Sequence, residues 1–517
     1  MSITDGHPEP RRSRPHPLAA TLPRRRFLAL GAGLLAAPTV AACASRAPSA
    51  TPIGPTSPLV ASAEQARQRS GAKVVTAQLA ASPTTIDLGG VAVQTWAFNS
   101  QLPGPEIRLA RGEVLRAELR NGLPQPSTIH WHGVALRNDM DGVPGLTQAP
   151  VAPQNTFTYD FTAPDAGTYW MHPHVGMQFD RGLYAPVVVT DPGDPGNYDV
   201  EAVIVVDDWL DGVAGDPDQR LEQLRKNGMA MGSMAMGSMA MGGPSDPTNP
   251  LGPDTGDVKD YPYYLINGRI STDPVTVAAK PGQRLKLRII NAGADTAFRV
   301  ALGGHRLTIT DSDGFPVNPT DTSSVLMGMG ERYDALVTLG DGVFPLVANA
   351  EGKQGHAMAV VRTGAGSPPA PGVLPAELAG APLTAAQLTS TAAVRLSTRV
   401  PDRTSDLVLG MDPSVYRWTI NGKTYGEHTP LDVVQGERVR LRFVNQTGMQ
   451  HPMHLHGHTY QVVNAAGTGP RKDTSIVLPA QTVEVDLQAD NPGQWLLHCH
   501  NLYHGEAGMM TVLSYVQ

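Results

Sequence analysis

Three copies of one short pattern run through this 517-residue chain. The first spans Trp96 to Ser100 and then Gly112 to Asn121. The second spans Tyr264 to Gly268 and Gly282 to Asn291, and the third Trp418 to Gly422 and Gly436 to Asn445. The first and last asparagines of the copies lie 22, 24 and 24 residues apart, and the copies recur after 168 and 154 residues. Each copy is an Asn-Gly or Asn-Ser turn followed by alternating apolar and polar residues. In the second, Leu285, Leu287 and Ile289 are expected to face a core while Arg284, Lys286 and Arg288 face water, as in an antiparallel sheet with one wet side. With 54 Gly, 46 Pro and only 5% aromatic residues, the chain is expected to be all-β. A threefold repeat then implies three consecutive β-sandwich domains, over 71–195, 196–375 and 376–517. The Pro-, Ala- and Gly-rich run from Thr363 to Thr384 reads as the second linker.

Residues 1–42 are of a different kind. Six arginines stand against Asp5 and Glu9, and Arg24-Arg25-Arg26-Phe27-Leu28 leads into an apolar run ending at Ala42. The run is too short to span a bilayer and reads as a twin-arginine export signal. Val40-Ala41-Ala42-Cys43 looks like a bacterial lipobox, so cleavage would leave Cys43 as a lipidated N-terminus held to the membrane. The expected location is outside the cytoplasm, as a membrane-anchored lipoprotein or in the periplasm. Residues 43–70, rich in Ser, Pro and Ala, read as a flexible tether. The net charge of −7 becomes −11 without the leader, which argues against a non-specific nucleic-acid binder.

The 16 histidines are unevenly placed. Four H-x-H pairs occur: His130/His132, His172/His174, His454/His456 and His498/His500. Residues i and i+2 of a strand share a face, so each pair presents two imidazoles to one place. Eight imidazoles from two distant parts of the chain imply one polynuclear metal site shared by the first and third domains. Parity locates a second site. Cys499 points away from its flanking histidines, and His451 has opposite parity to His454 and His456. His451, Cys499, His504 and Met509 together offer two imidazoles, a thiolate and a thioether, the ligand set of a blue-copper centre. With Cys499 there and Cys43 in the lipobox, no disulfide is expected. One strand thus serves two sites, on the order of 10 Å apart from side-chain reach.

The runs His130 to Gly133, Tyr169 to His174, His451 to Gly457 and His498 to Met509 resemble the four copper motifs of multicopper oxidases. Gly330-Glu331-Arg332-Tyr333-Asp334 also fits. Asp139 to Pro144 and the tail from His500 to Met509 are most similar to bacterial copper-resistance oxidases. The resemblance implies three cupredoxin domains holding four copper ions. It assigns His451, Cys499, His504 and Met509 to type 1 copper, and His130 and His454 to type 2. His132, His172 and His500 would hold one type 3 copper, and His174, His456 and His498 the other. It also implies that Asp141 delivers protons. Related bacterial enzymes carry a second acid directly after the equivalent of His504; here Gly505 stands there, and Glu506, one further on, is the candidate. His458 is expected beside the ligands, and His305, His356 and His428 as structural or surface residues. The edge of His504 or His451 is expected to be exposed, where the electron enters.

Residues 229–241 form three five-residue repeats holding Met229, Met231, Met234, Met236, Met239 and Met241. Their Ala, Gly and Ser neighbours cannot build a core, whereas soft thioethers favour Cu(I). The strip reads as a dock for cuprous ions. The expected reaction is one-electron oxidation of Cu(I) coupled to reduction of dioxygen to water, for copper tolerance. Phenols and Fe(II) are alternative donors, as in a laccase-like phenol oxidase or a ferroxidase. A non-catalytic copper-sequestering protein is the alternative of another class, and oxygen uptake separates the two.

Overall fold

The computed structural model describes residues 50–194, 196–228, 248–412 and 414–517. The segment 1–42 expected to be an export leader, Cys43 and the strip Met229–Met241 lie outside the described residues. Strands dominate. Pro58–Arg67, Pro217–Asn227 and Leu502–Glu506 are the α-helices among the described residues.

Six sheets pair into three cupredoxin-like sandwiches. The repeat is visible in their topology. Its strand in the first copy, Val114–Asn121, runs parallel to Val74–Asp87 and antiparallel to Thr156–Thr162. Arg284–Asn291 stands in the same relation to Val200–Trp209 and Arg332–Thr338, and Arg438–Asn445 to Arg403–Asp412 and Thr482–Gln488. The turn asparagines explain the pattern. Asn99, Asn267 and Asn421 sit at φ 52°, 50° and 53°, the left-handed region that Asn tolerates. Each side-chain oxygen accepts from a backbone N–H of the first strand, of Ala80, Val205 and Val408, at 2.7–2.8 Å. The closing asparagines, Asn121, Asn291 and Asn445, are buried and tie the strand's end to neighbouring carbonyls.

Two expectations are corrected. The polar face of the second copy is wet only at Arg284, which is exposed. Lys286 and Arg288 are buried and paired, Arg288 with Asp334 and Glu201 and Lys286 with Asp334; Arg288 also donates to Thr168 of the first domain, and Lys286 lies over Tyr198. Nor is the whole of 43–70 a free tether. Ser57 caps the helix Pro58–Arg67. The buried Glu64 of this helix accepts from the backbone N–H and hydroxyl of Thr162, at 2.9 and 2.7 Å. Upstream, Thr51 exchanges backbone hydrogen bonds with Gln517. The segment holds few apolar residues, but Ile53 and Val60 reach the core, and one carboxylate and a bridge to the chain's last strand complete the docking.

Candidate metal centre

Four short strands position the histidine pairs: one holds both His130 and His132, and His174, His456 and His500 follow just past the ends of the others. His130–His132 lies antiparallel to Gly167–His172, with His130 opposite His172. In the third domain His451–Leu455 lies antiparallel to Gln494–Cys499, with His454 opposite His498. Period two and cross-strand register therefore gather imidazoles from both domains into one buried cluster. Nε2 of His130 lies 3.3 Å from Nε2 of His454. Nε2 of His500 lies 3.4 Å from that of His172. Nε2 of His498 is 3.1 Å from that of His456 and 3.4 Å from that of His174.

The opposite ring nitrogens decide what these atoms offer. Nδ1 of His130, His172, His454 and His498 each donates to a backbone carbonyl, of Asp141, Pro173, Asp473 and Cys499, at 2.9–3.0 Å. Nδ1 of His456 donates to the Asp141 carboxylate at 3.0 Å. Carbonyl and carboxylate oxygens only accept, so these Nδ1 atoms carry the protons and the Nε2 lone pairs converge. His132 is turned the other way. Its Nε2 meets Asp473 Oδ1 and Thr474 Oγ1 at 3.1 and 3.0 Å, and its buried Nδ1 has no partner. Burial, with the neighbouring histidines, pushes His132, His172, His174, His456, His498 and His500 well below the usual imidazole range. Neutral imidazoles with lone pairs aimed at one another are a stable arrangement only around cations. The donor set fits transition-metal ions with a preference for imidazole, copper among them.

The second cluster lies on the other face of the same strand. Cys499 Sγ stands 3.6 Å from Nδ1 of both His451 and His504, and those two atoms are 3.1 Å apart. The outer nitrogens are engaged: Nε2 of His451 meets Thr447 Oγ1 at 2.7 Å, and Nε2 of His504 meets Asp257 Oδ2 at 3.0 Å. Met509 is fully buried, and its backbone bonds to both Cys499 and His504. Burial lowers His451. Burial also opposes charge on His504, but Asp257 and Cys499 outweigh it and push His504 up to about 10. Neither histidine is exposed, contrary to expectation. Trp418 packs on His504 at 3.9 Å between ring centroids, and Asp257, from a loop of the middle domain, closes over its edge. The outer face of this site is therefore Asp257 and Tyr416, whose hydroxyl donates to Asp257 at 2.7 Å.

Asp141 lies in the larger cluster. It is fully buried, and its carboxylate reaches Nδ1 of His130 and of His456, one from each domain. Burial raises its pKa, against the bond from His130. Glu506 lines a water-sized cavity of about 20 Å³ that also touches His172, His174, His498 and His500. His458 donates to the carbonyl of His456 and accepts from Tyr515. His305, His356 and His428 bond backbone carbonyls away from both clusters. Sequence reading missed Asp257, Thr447, Asp473 and Thr474. Asp473 and Thr474 follow Lys472 in a charged run inside a strand-rich stretch, a local signal. Asp257 has none, since its partner lies 247 positions away.

Family comparison agrees with this geometry. Three models, each described as multicopper oxidase, match residues 80–194, 201–366 and 398–517. A multicopper oxidase of Mycobacterium tuberculosis, MmcO, is 49% identical over 95% of this chain and 96% of its own. The chain belongs to the multicopper oxidases. It is an oxidoreductase that oxidises one-electron donors with dioxygen as acceptor, and its family implies copper as the cofactor. A copper resistance protein A homolog of Pseudomonas syringae pv. tomato is 28% identical over 82% of this chain and 90% of its own. Among solved structures, the laccase from Botrytis aclada is similar with a TM-score of 0.69 and 25% identity, over 86% of this chain and 88% of that one.

Proposed function

We propose that this multicopper oxidase takes its electrons from Cu(I) and serves copper tolerance outside the cytoplasm. His451, Cys499, His504 and Met509 would hold type 1 copper, and His130 and His454 type 2. His132, His172 and His500 would hold one type 3 ion, and His174, His456 and His498 the other. Bound there, four copper ions supply stepwise uptake of single electrons and their joint delivery to dioxygen, giving water. The observation that carries this reading is the convergence of unprotonated imidazole nitrogens from two domains beside a sulfur-centred tripod on the same strand.

The protein's own groups do the rest. Asp257 and Tyr416 close over the edge of His504, and Tyr416 also lines the neighbouring cleft. Asp141 holds the rings of His130 and His456 and stands within the cluster as a proton carrier. Glu506 serves the same purpose from the cavity wall. Nδ1–H bonds to backbone carbonyls fix the rings of His130, His172, His454 and His498, so little reorganisation of these rings accompanies electron transfer.

Cu(I) is favoured as donor by six thioethers in thirteen residues, Met229–Met241. The strip leaves the described fold just after Gly228, and Arg225, near the end of the preceding helix, donates to the backbone carbonyl of Glu506 at 2.6 Å. The helix that precedes the strip in sequence thus touches the loop that carries His504. The kinship with a protein named for copper resistance points the same way. The twin-arginine leader and the lipobox at Cys43 support export and a lipid anchor. One observation favours organic donors as well: a cleft of about 640 Å³, with Val415, Tyr416 and Tyr425 in its wall, is large enough for a phenol.

Oxygen consumption with Cu(I), measured on the copper-loaded enzyme with and without residues 229–241, tests the donor. Fast uptake that drops about tenfold on deletion, with phenol oxidation retained, is expected. Uptake with phenols but not with Cu(I) would move the enzyme to the laccase-like reading. No uptake with any donor would leave a copper-sequestering protein.

A further inference from the structure

The middle domain supplies none of the candidate ligands, yet one of its loops lies against the histidine cluster. Gly330 stands at φ +84°, and a Cβ there would come within 3.0 Å of the rings of His132 and His500. Two residues on, Arg332 is fully buried. Its guanidinium donates to both carboxylate oxygens of Asp473, at 2.7 and 2.6 Å, and its Nε donates to the carbonyl of Thr168 at 3.0 Å. Thr168 belongs to the first-domain strand that ends at His172, and Asp473 to the third domain. One side chain therefore spans all three domains.

The ion pair reaches two of the candidate ligands. Asp473 Oδ1 takes Nε2 of His132 at 3.1 Å, and the Asp473 carbonyl takes Nδ1 of His454 at 3.0 Å. Thr474 Oγ1 lies against the same two nitrogens, at 3.0 and 3.1 Å. The rings of His132 and His454 are stacked, with centroids 3.8 Å apart. With its Nε2 occupied, His132 is left with Nδ1 as its free donor atom, and Nδ1 is buried without a partner. Room is made for the pair from the other side. A Cβ on Gly133 would lie 2.2 Å from Arg332 Nη2 and 2.6 Å from Asp473 Oδ2. The Gly that follows His132 is thus required by the ion pair as well as by its own φ of +85°.

We propose that the middle domain acts as a template for the cluster: Arg332 fixes Asp473, Asp473 turns His132 so that Nδ1 faces the metal, and Gly330 leaves the space into which His132 and His500 fit. Arg332 and Gly330 are positioning residues, not ligands. A planar guanidinium bonded to both oxygens holds the carboxylate in one plane, which an ammonium does not do. This inference rests on the histidine cluster being the copper site, and its test separates the two claims.

The test uses copper-loaded Arg332→Lys and Gly330→Ala enzymes. Copper per chain, the blue absorption band of the Cys499 site, the near-ultraviolet absorption of a coupled copper pair and the melting temperature are measured on each. The Cys499 tripod makes no contact with Arg332, so the blue band is an internal control on folding. The expected result is a blue band within about a fifth of the parent's, with copper affinity of the histidine cluster lowered about tenfold or more. Full cluster copper with an unaltered near-ultraviolet spectrum in both variants overturns the proposal. So does proportional loss of both signals, which assigns Arg332 and Gly330 to folding alone. If neither variant accumulates folded, Thr474→Val removes only the hydroxyl beside His132 and leaves the ion pair. A selective loss of about threefold or more in cluster affinity is then expected, and no loss overturns the proposal. Absence of the coupled-pair signal in the parent enzyme would instead sink the copper reading of the cluster.

Discussion

His504 is flanked at both ring nitrogens: Nδ1 faces Cys499 and His451, and Nε2 stands 3.0 Å from Asp257 Oδ2 in an ion-pair contact. A carboxylate on the outer nitrogen makes the imidazole a stronger ligand. Asp257→Asn keeps the shape and removes the charge. Copper affinity of the Cys499 site is expected to fall about tenfold, with the histidine cluster unchanged. A copper titration followed by the blue band checks this, and an unshifted midpoint would argue against a role for Asp257. At this scale the sequence was most legible where spacing is short. Parity separated Cys499 from His498 and His500, and the strand register bears out that the two sets face opposite ways. It could not foresee Asp257, because a loop of another domain brings it in. It also could not foresee that Trp418 and Asp257 bury the ring edge expected to be open.

The elements show why the repeat was readable. An Asn-Gly or Asn-Ser turn needs a positive φ, and the same asparagine side chain satisfies the adjoining strand, so sequence and topology carry one signal. The wet face expected of Arg284–Asn291 held at Arg284 and failed at Lys286 and Arg288, because alternation reports polarity, not exposure. Ion pairing with Asp334 and Glu201 lets these two be buried, Arg288 against Thr168 of the first domain. The helix Pro58–Arg67 was missed for a related reason: it docks through Val60, Leu59 and the buried carboxylate of Glu64, not through a long apolar stripe. The described part of the expected tether, from residue 50 on, is docked at Thr51 and by the helix. If Cys43 carries the lipid anchor, Cys43→Ala moves the enzyme from the membrane fraction to the soluble fraction, with oxidase activity retained. Retention in the membrane fraction would count against the anchor.

The whole molecule is organised around two domains that supply the candidate ligands and a third that buttresses them. The first and third domains each bring two histidine pairs. The middle domain brings Asp257 to the edge of His504 and Arg332 beneath the cluster. Local pattern reads the ligands because they come in pairs on strands. It does not read the buttress, because Arg332, Asp473 and Thr168 meet only after three domains have folded. The central claim is that these ligand sets hold four copper ions, one beside Cys499 and three among the histidines. The most direct measurement is copper per chain in purified, fully loaded enzyme, taken together with Cys499→Ser. The account predicts four ions in the parent, and three with no blue band in the variant. One ion in the parent, or loss of all copper together on removing the thiolate, would contradict it.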